Sequence, residues 1–442
     1  MEFNIPHLFL HWNKKKIGNL KVRDYQYFNI NNTDNENPTL FINPDCFDHF
    51  IINKEKTDII VIGSPIINNC VDLEGTANFV LEKKNSKKDI SLINGQFLII
   101  IYERVENKIY IINDRFNSIH FYWANFENTF LGSFLYFDLI KIIKNFDDFK
   151  INQESIMQFL WMSRVMGDST HDNFSKYLLP ASVLSINFLK VDIIKYWKPN
   201  FKKINRSKKV AGSKYIELLT NSIKNLTTEK KVNRYGYFFS SGLDSRTVAT
   251  AVSLVNKKLK SFTVAFRENL EVKYARIAAK LAGSDHEFVK LNNNHFEKNL
   301  DANVIICGAM YSIHDALFTG LKSEINKDID VVFHGHALDF WNYGNYLPSY
   351  FLKFLGSQTF IRKIMKIDNI IDLYFNYNPL RLTWTNKSLN LKDILKESHY
   401  DNIVNSIKKS IKNDLDAGKK ICETNLDQWE YLMLHAFGRH FT

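Results

Sequence analysis

The chain has 442 residues, of which 45% are hydrophobic and 24% charged, and its formal net charge is +11 at pH 7. This composition is ordinary for a globular protein and excludes disordered and collagen-like chains, while the length predicts two or three domains. No apolar run approaches the roughly 18 residues of a membrane helix. The first residues also lack the charge order of a secretory signal, so we expect a cytoplasmic protein without a membrane partner.

The basic residues are scattered apart from short runs at 14–16 and 202–209. A solvated basic surface is therefore favoured over a nucleic-acid-binding one, which would need clustered cations. The four cysteines, Cys46, Cys70, Cys307 and Cys422, lie far apart without C-x-x-C spacing. This spacing argues against a structural zinc site and against a disulfide framework.

The first half of the chain is typical of β-structure. Two β-branched and aromatic runs, 97–102 and 109–112, are separated by charged residues and predict an antiparallel hairpin. Residues 59–62 and 182–186 have a similar composition and predict further strands. The segment 151–162 is better interpreted as a helix.

A polar, basic and patternless stretch at 198–209 predicts a linker that divides the chain near residue 205. We expect one domain at 1–200 and a second at 210–442. In the second half, strands alternate with helices, which predicts a parallel sheet covered on both faces, with ligands beyond the carboxyl ends of its strands. The predicted strands are 235–239, 261–266, 286–291 and 330–333, and the predicted helices are 216–226 behind Ser213 as N-cap, 248–255, and 274–281 closed by Gly283.

A loop of small residues follows the predicted strand 235–239 and reads Ser240-Ser241-Gly242-Leu243-Asp244-Ser245. Small residues let a phosphate approach the backbone, and the following helix N-terminus supplies unpaired N–H groups. The serine hydroxyls are further donors, and Asp244 could hold a Mg²⁺ that bridges phosphate oxygens. The loop lacks the lysine of an NTPase phosphate loop, and from these residues alone simple helix capping is equally open.

This loop resembles the Ser-Gly-Gly-Leu-Asp-Ser pyrophosphate loop of the asparagine synthetase family, with Ser241 in place of one glycine. We expect an ordinary backbone conformation at Ser241, because Gly242 can take up any unusual dihedral angle. The resemblance covers roughly residues 90–440. Family-like elements follow one another in order at Ile93-Asn94-Gly95-Gln96-Phe97, Asn113-Asp114-Arg115-Phe116-Asn117, Leu179-Pro180-Ala181, Tyr196-Trp197, Ser261–Phe266 and Glu271–Arg276.

The resemblance implies an α/β protein in two parts. Residues 1–200 would form an αββα antiparallel sandwich of the Ntn-hydrolase type. Residues 210–442 would form a doubly wound parallel-sheet domain of the adenine-nucleotide α-hydrolase (HUP) type, which is an ATP pyrophosphatase domain. By the same resemblance the loop 240–245 binds the pyrophosphate of ATP, and the backbone around Val264 holds adenine.

In the family a second loop, Ser-Gly-x-Gly-x-Asp-Glu, supplies another magnesium carboxylate. Its counterpart here is His334-Gly335-His336-Ala337-Leu338-Asp339-Phe340, in which Gly335 and Asp339 match. The resemblance therefore implies Asp244 and Asp339 as ligands of Mg²⁺, with His334 and Gly335 in the nucleotide site. Because no third metal ligand lies nearby in sequence, we interpret the histidines as contacts to phosphate or substrate.

Two departures from the family pattern concern activity. The family's glutaminase nucleophile is a cysteine that follows the initiating Met, whereas Glu2 stands here, so we expect the glutaminase to be lost. The family's synthetase domain also continues past the segment that 429–442 resembles, with an Arg-x-Pro-Phe-x-Asp stretch and a charge-stabilising lysine. We interpret its absence from these residues as a truncated chain or a changed catalytic end.

The expected function is that of an AMP-forming carbon–nitrogen ligase using ATP and Mg²⁺. Such an enzyme would adenylate a carboxylate substrate, such as an aspartate-like molecule, a peptide or a sugar acid, and transfer it to ammonia or an amine. The alternatives are a non-catalytic nucleotide-binding or scaffold protein and a tRNA-modifying ATP pyrophosphatase. The acyl donor, the amine and the assembly state, including a homodimer, stay open.

Overall fold

The computed structural model describes residues 7–13, 26–29, 38–42, 47–83, 87–126, 129–187, 190–201, 206–228, 234–255, 259–310, 317–325, 329, 331–336, 338, 347–376, 392 and 395–440.

The described residues form four β-sheets. Their strands are β1 (Leu8–Asn13), β2 (Gln26–Asn29), β3 (Thr39–Ile42), β4 (His49–Asn53), β5 (Thr57–Ile67), β6 (Cys70–Val71), β7 (Asn94–Glu103), β8 (Lys108–Asn113), β9 (Tyr122–Phe126), β10 (Thr129–Ser133), β11 (Ser175–Tyr177), β12 (Ser182–Asn187), β13 (Lys190–Lys195), β14 (Tyr235–Phe238), β15 (Leu259–Ala265), β16 (Ser284–Lys290), β17 (Val331–Phe333), β18 (Ser349–Phe354) and β19 (Ser357–Ile364).

Helices cover three of these sheets. They are α1 (Leu73–Lys83), α2 (Lys87–Ile90), α3 (Tyr136–Ile143), α4 (Gln153–Met162), α5 (Lys208–Thr227), α6 (Leu243–Val255), α7 (Leu270–Leu281), α8 (His295–Lys298), α9 (Leu300–Cys307), α10 (Lys322–Ile325), α11 (Ile370–Asn376), α12 (Glu397–Gly418) and α13 (Asn425–His440). Within the described part of the chain, no helix combines the length and the apolar character needed to cross a membrane.

The first half of the chain forms the predicted αββα sandwich. Its antiparallel sheets have the strand orders β11-β9-β10-β1-β3-β2 and β13-β12-β8-β7-β5-β4, with β6 beside β5. In β7, Leu98 and Ile100 enter the core between the sheets, whereas Ile99 and Ile101 pack outward in a cluster that includes Val80 of α1. Both faces of β7 are covered, which explains why its apolar residues are continuous and do not alternate with polar ones. This continuous run is the pattern from which the strand was predicted. Its predicted pairing with β8 is confirmed.

A buried carboxylate joins the family-like motifs of this sandwich. Asp114 accepts hydrogen bonds from the backbone N–H groups of Phe97 at 3.3 Å, Phe116 at 2.8 Å and Ser118 at 2.9 Å. The neighbouring Asn113 donates from its side chain to the carbonyl of Leu179 at 3.0 Å. The motifs near 94, 113 and 180 therefore meet in one hydrogen-bond network that holds the chain turns together.

The second half contains the predicted parallel sheet, with the order β16-β15-β14-β17 and all three pairings parallel. On one face Tyr237 packs in a cluster with Ile223 of α5 and Val252 of α6. On the other face Phe262 packs in a cluster with Ile325 of α10. Both faces are covered, as the doubly wound fold requires.

The start of the first helix after the linker differs from the prediction. Helix α5 begins at Lys208, and the Ser207 side chain accepts a hydrogen bond from the N–H of Val210 at 3.4 Å. Ser213, the predicted N-cap, lies inside the helix instead. Both serines are possible caps in sequence, and the helix begins six residues earlier, within the predicted linker.

The two halves of the chain pack closely against each other. Met162 and Met166 share one hydrophobic cluster with Tyr374 of α11 and Trp429 of α13. Trp161 donates its indole N–H to the carbonyl of Phe375 at 3.0 Å. The division into domains 1–200 and 210–442 stays a prediction, because elements of the first segment complete a core of the second.

We expect Asp114→Ala to lower the free energy of unfolding by about 1–3 kcal/mol, because several buried N–H groups lose their acceptor. Chemical denaturation followed by circular dichroism measures the change. The matched control is Asp168→Ala, which removes a partly exposed ion pair to Lys176 and should cost less than about 1 kcal/mol. Equal effects of the two substitutions would contradict the structural role of Asp114.

Candidate functional site

The predicted phosphate loop lies at the carboxyl edge of the parallel sheet. Strand β14 is an inner strand that ends at Phe238, and α6 begins at Leu243, so only four residues join them. Gly242 is exposed, Leu243 is half exposed, and Ser240, Ser241 and Asp244 are half-buried. Asp244 therefore lies in the first helical turn, where the N–H groups of the helix are unpaired.

Hydrogen bonds within the loop fix its conformation. The N–H of Ser240 donates to Oγ of Ser245 at 3.2 Å, and the N–H of Gly242 donates to Oγ of Ser240 at 3.1 Å. Oγ of Ser245 lies 2.9 Å from the carbonyl oxygen of Ser240 and 3.1 Å from that of Gly242. The buried Ser245 hydroxyl is thus engaged inside the loop, and it shapes the turn on which a phosphate would rest.

The loop needs no unusual backbone conformation. Neither Ser241 nor Gly242 is among the residues with positive φ in the described chain. The ordinary conformation predicted for Ser241 is confirmed, and Gly242 does not adopt a positive φ either. A Cβ atom at Gly242 would lie 3.1 Å from Oγ of Ser240, so glycine leaves space for that hydroxyl.

Strand β15 supports the loop from the side. Oγ1 of the buried Thr263 donates to the carbonyl oxygen of Phe239, directly before the loop, at 2.5 Å. Val264 follows on the same strand, half-buried and paired with Val289 of β16. The sequence prediction missed Thr263, although two hydroxyl residues, Ser261 and Thr263, at alternate positions of this strand were a visible signal.

The second predicted loop contacts the first one through Gly335. A Cβ atom on Gly335 would lie 2.8 Å from the carbonyl carbon of Asp244 and 2.9 Å from the backbone nitrogen of Ser245. Real Cβ atoms do not approach backbone this closely, so the contact requires glycine at this position. Because β17 is paired with β14, the two loops leave the same edge of the sheet and meet at the start of α6.

The two histidines of the second loop lie beside this contact. Their ring centroids are 6.1 Å apart, and the N–H of His336 donates to Nδ1 of His334 at 3.3 Å. Desolvation and the neighbouring His336 lower the pKa of His334, so its imidazole is neutral at pH 7. His334 can therefore accept or donate a hydrogen bond there, but it does not act as a fixed cation.

The second predicted magnesium ligand, Asp339, lies outside the described residues. Within the described ranges, no group of three or more His, Cys, Asp or Glu side chains is placed to hold a metal ion. Asp244 alone still fits the chemistry of Mg²⁺, which takes one or two protein carboxylates together with phosphate oxygens and water.

Comparison with known proteins identifies the second half of the chain. The family model described as asparagine synthase matches residues 214–433. A search of curated proteins finds no match to the chain. The matched segment includes both loops and the strands that position them.

Three solved structures are similar to parts of the chain. The B. subtilis glutamine phosphoribosylpyrophosphate amidotransferase with ADP and GMP has 9% identity and a TM-score of 0.25, and the match covers 60% of this chain and 56% of that one. The NH3-dependent NAD synthetase of Campylobacter jejuni has 13% identity and a TM-score of 0.25, and the match covers 52% of this chain and 97% of that one. The NMN synthetase of Francisella tularensis has 14% identity and a TM-score of 0.25, and the match covers 54% of this chain and 98% of that one. The match to this chain thus spans about half the length of the phosphoribosylpyrophosphate amidotransferase. Structural similarity with such low TM-scores adds nothing to the architecture described above.

Residues 214–433 therefore form an asparagine synthase domain, and the family predicted from the sequence is confirmed for this segment.

We expect Gly335→Ala to lower the free energy of unfolding by about 1–3 kcal/mol, because the added methyl group overlaps the backbone of α6. The matched control is Gly212→Ala in α5, where a Cβ atom meets nothing within 4 Å. That change should stabilise the protein by about 0.5–1 kcal/mol through helix propensity. Thermal unfolding of both variants measures the two shifts, and a neutral Gly335→Ala would mean that the loops are not in contact.

Proposed function

We propose, from the asparagine synthase domain of residues 214–433, that the chain is an ATP-dependent amide-forming ligase that releases AMP. The observation that supports this most is the contact of Gly335 with the first turn of α6. It joins two loops at the carboxyl ends of neighbouring parallel strands, where ligands of such sheets bind.

In the proposed reaction a substrate carboxylate oxygen attacks the α-phosphorus of ATP. The bond to the β-phosphate breaks, giving an acyl-adenylate and pyrophosphate. The nitrogen of ammonia or an amine then attacks the acyl carbon, and AMP leaves as the amide forms. Catalysis of this kind rests on positioning and on neutralisation of phosphate charge.

Each loop has a proposed part in this chemistry. The N–H groups at the start of α6 and the hydroxyls of Ser240 and Ser241 bind the pyrophosphate, while Ser245 holds the turn. Asp244 would hold Mg²⁺, with Asp339 as the second carboxylate, and the ion would neutralise phosphate oxygens when bound. The backbone near Val264 is the proposed adenine contact, and His334 offers a neutral hydrogen-bonding group beside the phosphates.

The amine is proposed to come from solution and not from a glutaminase of this chain. Glu2, where the family has its nucleophile, lies outside the described residues, as does Cys46. The thiols of Cys70 and Cys307 are hydrogen-bonded to the carbonyl oxygens of Ile67 and Val304. Burial, with nearby Asp427 and Glu430, raises the pKa of Cys422 to about 11, so this thiol is not a thiolate at pH 7.

We expect Asp244→Asn to weaken binding of Mg-ATP by roughly 5- to 150-fold, or about 1–3 kcal/mol, because a carboxylate facing the ion is lost. Binding of ATP in excess chelator should change much less. Calorimetry measures both affinities. Asp285→Asn is the control, since Asp285 is exposed at the amino end of β16, on the opposite edge of the same sheet.

Undiminished Mg-ATP binding by Asp244→Asn would mean that the loop only caps a helix. Isotope exchange between pyrophosphate and ATP, measured in turn with aspartate, peptides that have a free carboxylate and uronic acids, separates a ligase from a scaffold. Exchange with one carboxylate supports adenylation, whereas tight ATP binding without exchange supports the scaffold.

We expect the purified protein to release no glutamate from glutamine above the rate of buffer, because Glu2 offers no thiolate. An enzyme-coupled assay for glutamate measures this. Glutamate release that is abolished by a thiol-alkylating reagent would show that one of the four cysteines serves as a nucleophile.

A further inference from the structure

A large open cleft lies between the sandwich and the parallel sheet. Its volume is about 720 Å³, within the usual range of ligand pockets. One wall is formed by the ends of β5 and β7, the other by α5, and the floor by β17 and His334. Because His334 directly precedes Gly335, the cleft extends to the proposed nucleotide loops.

The described residues that line this cleft carry no carboxylate, ammonium or guanidinium group. With 24% charged residues in the chain, a lining of 17 residues would hold about four. The neutral His334 imidazole adds no charge at pH 7. Eight lining side chains are amides or hydroxyls: Ser64, Asn68, Asn69, Asn94, Gln96, Asn221, Ser222 and Asn225. Such a lining favours an uncharged ligand with many hydrogen-bonding groups.

One of these amides fixes the relation between the two walls. With its amide nitrogen facing the sandwich, Asn225 of α5 donates to the carbonyl oxygen of Asn69 at 3.0 Å. Asn69 and Asn68 form the turn between β5 and β6, both with positive φ. The other amide side chains are exposed along the walls. Asn94 donates one N–H to the carbonyl oxygen of Leu92 at 3.3 Å, which orients its amide beside the cleft.

The pattern of the lining favours a peptide over a carbohydrate. A primary amide offers one acceptor and two donor hydrogens, which match the N–H and C=O of a peptide group. The exposed side chains of Leu92 and Leu218 lie among these amides and suit apolar side chains. A carbohydrate site would instead present an open aromatic face, whereas Phe333 of the cleft lining is half-buried and packs against the cluster that includes Ile223 of α5 and Val252 of α6.

We propose that this cleft binds a peptide segment with uncharged side chains, as the substrate whose reacting group lies beside His334. The role of this peptide as a substrate rests on the proposed ligase function. The test of peptide binding does not, because binding is measured without nucleotide. The probe is acetyl-Ala-Asn-Ala-amide, observed by saturation-transfer NMR, which detects weak binding to a protein of this size. Maltotriose is the carbohydrate probe under the same conditions.

Ser222→Trp places a large ring in the cleft from an exposed position on α5. We expect it to reduce saturation transfer to the neutral peptide at least fivefold. The matched control is Asn413→Trp, at an exposed position of α12 away from this cleft, and it should leave the transfer unchanged. Circular dichroism of both variants checks that they are folded.

A second variant tests the charge argument. The wild-type protein should bind acetyl-Ala-Lys-Ala-amide and acetyl-Ala-Asp-Ala-amide about equally, and both more weakly than the neutral peptide. Asn221→Asp should shift the ratio at least threefold toward the lysine peptide, whereas Asn413→Asp should not. A purely structural Asn221 would leave this ratio unmoved.

The proposal is overturned if the neutral peptide shows the same transfer with Ser222→Trp as with the wild type, or if maltotriose is bound more strongly. Failure of ATP binding alone would instead contradict the ligase function and leave the peptide result intact. Peptide binding with no ATP binding would therefore assign the cleft to a binding protein.

Discussion

The candidate site depends on one constraint, the absence of a side chain at residue 335. Strands β14 and β17 are neighbours, so the loops after them leave the sheet together, but only glycine lets the second loop touch the backbone of Asp244 and Ser245. The hydrogen bonds of Ser245 and Thr263 then hold the first loop in a fixed shape. A preorganised loop of this kind can bind charged phosphates without first paying for its own ordering.

The sandwich has a different relation to function. Its family-like motifs converge on Asp114 and Asn113, whose hydrogen bonds are internal and serve the fold. Ala181 adopts a φ of 55°, and its N–H donates to the carbonyl oxygen of Asp114. The amide-lined rim of the sandwich at Asn94 and Gln96 faces α5 across the cleft.

Much of this arrangement is visible in the sequence because it is local. The continuous apolar run of β7 and the strand, small-residue loop and helix at 235–255 each depend on neighbouring residues, and the structure contains both. The predicted start of α5 was wrong because Ser207 and Ser213 can both cap a helix, and their local sequence does not distinguish them. The contact of Gly335 with Asp244 and the cleft between Asn94 and Asn221 depend on residues about 90 and 130 positions apart, for which a single sequence holds no distance information.

The shared cluster of Met162, Met166, Tyr374 and Trp429 has a consequence for biogenesis. A ribosome releases α4 long before α11 and α13, so Trp161, Met162 and Met166 of the first half lack these packing partners until both helices are translated. This cluster therefore cannot form until α11 and α13 have left the ribosome, which makes its assembly a late step in the folding of the chain.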